Sequence, residues 1–85
     1  MESRAFIKAA ATLITKVKDS QHTFGTQEDL RNQRDALQKE IGQLFSGLQN
    51  PTLPSAYRLR DAALRAGFHV QPLVMQRLAQ FEHLG

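Results

Sequence analysis

The three histidines are the side chains of this chain best able to move a proton or hold a metal near neutral pH, and their spacing keeps them apart. His22, His69 and His83 form no HxxxH or HExxH pattern, the spacings that put two imidazoles on one helix face. Ser20 and Ser55 have no evident base nearby to activate a hydroxyl. Gly25 is isolated, as is the pair Gly42 and Gly47, where a phosphate-cradling loop needs clustered glycines. There is no cysteine, which removes disulfides and thiolate metal sites. A trio of Ser, His and Asp can be picked from any chain of this size and identifies no reaction. The expectation is a protein that is not an enzyme, with no catalytic residue, cofactor or metal site.

Charge offers little more. Eleven Lys and Arg against eight Asp and Glu leave a net +3. Residues 1–26 carry +2, 27–49 carry −1 and 50–85 carry +2, without a block of like charge. That is a weak electrostatic footprint for nucleic acid. No run approaches the ~20 apolar residues of a membrane span. Lys8, Thr12 and Lys16 interrupt any signal-peptide core. A basic amphipathic first helix can lie on a membrane, but here Glu2 and Asp19 flank it and its cations are scattered. The expected setting is cytoplasmic, and the lack of cysteine fits a reducing compartment.

The elements that would position any contact residue are helices. Over 3–18, Phe6, Ile7, Ala10, Leu13, Ile14 and Val17 recur at spacings of three and four. A polar connection with Gly25 follows, and Thr26 is placed to cap the next helix, with Asp29 three residues on. Over 27–48, Leu30, Arg34, Leu37, Ile41, Leu44 and Leu48 form a heptad-like seam widened by Phe45. Gly42 and Gly47 weaken that helix. Arg34 interrupts the seam and is expected either to snorkel to solvent or to meet an acidic group on a partner. Pro51 and Pro54 end the helix, and Thr52 or Ser55 is available to cap a third over 54–66 that stops at Gly67. A fourth runs over about 70–84, with Val70, Leu73, Val74, Leu78, Phe81 and Leu84 on one broad face around Arg77. The expected fold is all-α, one domain over 1–85. A coiled-coil-like antiparallel hairpin (1–49) leads through a proline-containing connection (50–54) to a helical corner (55–85).

The segment Leu59–Leu78, LRDAALRAGFHVQPLVMQRL, resembles a helix-turn-helix. Ala62 and Ala63 allow close crossing, Gly67 makes the turn, Phe68 sits where an apolar plug belongs, and Leu73 where the second helix packs back. The resemblance departs at Gln76, where an apolar anchor is wanted. It also departs on the face turned to a major groove: His69, Val70, Gln71, Val74 and Met75 include only two side chains suited to reading bases.

Contact chemistry with protein is the stronger pattern. Tyr57 and Leu64, seven apart, lie beside Arg60 and opposite a face of Ala56, Leu59, Ala62, Ala63 and Ala66. That helix is either sandwiched in its own core or offers Tyr57, Arg60 and Leu64 to a partner. In the last helix Val74, Arg77, Leu78 and Phe81 offer similar anchors, since aromatic and arginine side chains dominate interface energetics. The expected function is a non-enzymatic helical interaction module — adaptor, co-chaperone or inhibitory regulator — that binds a protein partner or self-associates along the α-helical seam. The alternative is a small DNA-binding regulator using 59–78.

Overall fold

The computed structural model describes residues 3–49 and 52–84, with side chains up to residue 82. Asn50 and Pro51 of the expected connection, and the His83 and Leu84 side chains, lie outside that description.

Four helices run α1 Ser3–Ser20, α2 Gln27–Ser46, α3 Pro54–Arg65 and α4 Pro72–Leu84. In α1 the buried side chains are Phe6, Ala10, Leu13 and Val17, spaced four, three and four. Ile14 is half-buried and Ile7 exposed, so the buried stripe is narrower than the apolar pattern. Thr26 caps α2: its side chain accepts the Asp29 N–H at 3.2 Å. That bond satisfies one of the donors a helix start leaves open.

Two termini differ from expectation. Gly47 is the C-cap of α2, not part of its interior, so of the two glycines only Gly42 dilutes the helix. Leu53, not Thr52 or Ser55, holds the N-cap position of α3, without a side-chain cap bond. Pro54 follows at N1, where its fixed φ and missing N–H cost nothing. The Ser55 hydroxyl is buried without a hydrogen-bond partner.

α1 packs on both α2 and α3. Its direction against α2 follows from two contacts: the Phe6 and Phe45 rings lie 6.2 Å apart, and Lys16 Nζ sits 3.4 Å from Glu40 Oε1. Residues early in α1 therefore meet residues late in α2. α3 ends beside Arg34, in the first half of α2, so α3 is antiparallel to α2 and parallel to α1. One core takes Phe6 and Val17 from α1, Leu37, Ile41, Leu44 and Phe45 from α2, and Ala56, Leu59 and Ala63 from α3. Phe68 and Val70, before α4, and Leu78 within it complete that core. Burial of these apolar surfaces is the main stabilising term. The outline is 44 × 22 × 18 Å. The radius of gyration is 13.2 Å, against ~12 Å for a compact domain of this length.

Candidate protein-interaction surface

The junction of α3 and α4 decides which side chains face outward. Gly67 has φ +83°, the one residue among those described with positive φ. Phe68 N–H donates to Ala63 C=O at 2.9 Å and Gly67 N–H to Leu64 C=O at 3.1 Å, which is a Schellman closure of α3. The two carbonyls beyond it are taken by Arg34. Its guanidinium donates to Ala66 O and Gly67 O, both at 3.3 Å, and lies 4.4 Å over the Phe68 ring. Arg34 is exposed, as a snorkelling arginine would be, but its head turns to backbone carbonyls of the chain itself and caps α3. One turn on, Gln38 Nε2 donates to His69 O and its Oε1 accepts from His69 N–H, both at 2.8 Å. A further turn on, a Cβ added to Gly42 would lie 3.9 Å from Gln71 Nε2.

Residues 34, 38 and 42 therefore face 66–67, 69 and 71. Four helical residues rise ~6 Å and two extended residues span ~6.6 Å, so the two runs stay in register. The link between α3 and α4 is strapped along α2.

This strap orients α4. Leu78 is fully buried, Val70 is buried, and Val74 and Met75 pack against the core. Spacing of four turns Leu73, Arg77 and Phe81 along the neighbouring stripe, and all three are exposed. Leu73 is 72% exposed and Phe81 37%. Two expectations are corrected here: Leu73 does not pack back on the preceding helix, and Leu78 is spent inside the core. Single-sequence periodicity could not choose between the stripes because both carry apolar residues.

Of the residues that the helix-turn-helix resemblance turns toward a groove, Val70 is buried and Val74 and Met75 are half-buried. His69 and Gln71 are exposed, but the His69 backbone is held by Gln38.

Tyr57 and Arg60 fasten α3 to α4. Tyr57 is half-buried and its hydroxyl donates to Leu78 O at 3.4 Å. Arg60 lies 5.2 Å from the Tyr57 ring centre. It pairs with Asp61 Oδ1 at 3.0 Å and Glu82 Oε1 at 2.9 Å. Burial works against its charge, but the Asp61 and Glu82 carboxylates outweigh that and raise its pKa. Leu64, on the same side of α3, stays exposed. Of the expected contact residues, then, Leu64, Arg77 and Phe81 are exposed; Tyr57, Arg60 and Val74 are half-buried, and Leu78 is buried.

Along the α2 seam, Leu37, Ile41 and Leu44 are buried against the chain's own helices, Leu30 and Leu48 are half-buried, and Arg34 is exposed. The middle of the seam is thus consumed within the fold.

Two other features lay beyond the sequence reading. Phe24, in the α1–α2 loop, is 97% exposed. A groove of about 570 Å³ between α1 and α3 has Ile14, Ala62, Lys18, Arg58 and Arg65 among its lining residues. The sequence signal for the groove was the pair of arginines seven apart on α3, legible only once α1 is known to pack beside them. Among the described residues no group of three or more His, Asp or Glu side chains converges as a metal site. No helix of the described residues is long and apolar enough to cross a membrane. Comparison with known proteins finds no matching family model, curated protein or solved structure.

Proposed function

We propose that the chain is a non-enzymatic protein–protein interaction module, acting as an adaptor, co-chaperone or inhibitory regulator. The observation that carries this reading is the outward stripe of α4: Leu73, Arg77 and Phe81 are exposed while the core closes without them. Isolated exposed apolar residues are ordinary on protein surfaces. Two of them flanking an arginine at helical spacing have the composition of an interface anchor. The stripe takes over from the middle of the α2 seam as the contact surface, and a second copy of the chain is its simplest occupant. A cytoplasmic location goes with the proposal, on the ground that the chain has no cysteine to protect.

Size-exclusion chromatography with light scattering over a concentration series tests it. The mass should rise with concentration, and Leu73→Ser with Phe81→Ser should return it to the monomer at unchanged helicity. A wild-type monomer throughout, with no apolar dye bound, would refute the proposal. Sequence-dependent binding to duplex DNA, weakening steeply with salt, would favour the regulator alternative instead.

A further inference from the structure

The α1–α3 groove differs from its neighbour in how its charges are used. Between α1 and α2, Lys16 meets Glu40 at 3.4 Å, so that cleft is neutralised within the chain. Between α1 and α3, the lining cations are Lys18, Arg58 and Arg65, and the carboxylate is Asp61. Asp61 is already engaged by Arg60 at 3.0 Å. Lys18 and Arg65 stand in the last turns of their helices, where cations are favourable to the helix itself. Arg58 is mid-helix and exposed, with no such reason to be there. The apolar lining is Ala11, Ile14 and Val17 of α1 and Ala62 of α3. An alanine on each helix lets another backbone come close.

We infer that this groove binds an acidic amphipathic helix of a partner protein, its apolar stripe on the apolar lining and its carboxylates against Lys18, Arg58 and Arg65. Arg58 and Arg65 are seven residues apart, two helical turns, which a facing helix matches with acids at the same interval. A single-stranded nucleic acid fits less well, because no aromatic ring lines the groove to stack a base. The site is separate from the α4 stripe and does not depend on it.

The test uses the full chain and two synthetic amphipathic helical peptides with one leucine stripe, flanked by glutamates in one and by lysines in the other. Fluorescence anisotropy should show the glutamate peptide binding about tenfold more tightly at low salt, the sum of three modest exposed charge pairs. The preference should fade as salt screens the rim. Arg58→Glu with Arg65→Glu should abolish it, and Ala11→Gln, which fills the groove without changing charge, should weaken both peptides. Circular dichroism on the same samples checks that these exposed changes leave the fold intact. Equal affinity for the two peptides, or wild-type preference in the Arg58→Glu and Arg65→Glu protein, would overturn the inference. So would anionic vesicles or duplex DNA binding with the same dependence on these arginines. The Leu73→Ser and Phe81→Ser protein should keep its peptide affinity; a loss there would move the site to α4.

Discussion

Arg34 shows how one side chain can serve a fold in a way its sequence position hides. In the α2 pattern it is a charged interruption of a leucine seam. In the structure it ends another helix, using two carbonyls and an aromatic face more than thirty residues away. Backbone acceptors carry no signature in a sequence, so the role was not legible; the glycine it meets was. Gly67 marked the end of α3 because only a left-handed residue closes a Schellman turn without strain. Arg34→Ala should lower stability by about 1–2 kcal/mol, combining exposed charge-assisted hydrogen bonds with a cation–π contact. Arg34→Lys should recover part of that, since a lysine keeps the charge but not the fork. Gln38→Ala should cost about 1 kcal/mol through the lost His69 pair. Urea unfolding of the three variants measures this, and wild-type midpoints would show that the strap is incidental.

At the scale of elements, the four helices and most of their ends followed from apolar spacing, Thr26, Gly67 and the prolines. Faces were harder to read than helices. α4 carries apolar residues on adjacent stripes, and contacts from other helices, the strap from α2 and the Tyr57 and Arg60 ties from α3, hold Val74, Met75 and Leu78 inward. α3 is held by more than alanines, because Tyr57 and Arg60 tie it to Leu78 and Glu82 of α4. Tyr57→Phe should therefore cost less than about 1 kcal/mol, the loss of one long hydrogen bond. Tyr57→Ala should cost more, about 2–4 kcal/mol, because it also removes a half-buried ring. Thermal melts of the pair separate the hydroxyl from the ring. Equal melting temperatures for Tyr57→Ala and wild type would mean that the ring rests on α4 without supporting it. In the α2 seam the expectation is simpler. Ile41→Asp or Leu44→Asp puts an unpaired charge in the closed core and should abolish the native circular dichroism signal.

The hairpin and the corner, joined by prolines, meet through α1, which packs on α3 as well as on α2. Parallel packing of α1 and α3 joins elements that begin about fifty residues apart, at Ser3 and Pro54, and no local pattern announces it. Its consequence is cooperativity: Ala56, Leu59 and Ala63 share one core with Phe6, Val17 and Ile41, so neither half can open without exposing the other. The chain supplies its own reporter, since Tyr57 is its one tyrosine and there is no tryptophan. Tyr57 fluorescence follows the α3–α4 end, while far-ultraviolet circular dichroism follows all the helices. In urea the two transitions should coincide, with the same midpoint and slope. Leu73→Ser with Phe81→Ser should leave that coincidence intact, because those side chains lie on the outward stripe. A tyrosine transition preceding the loss of helicity would show instead that the α3–α4 end melts on its own and that the strap from α2 is its weak link.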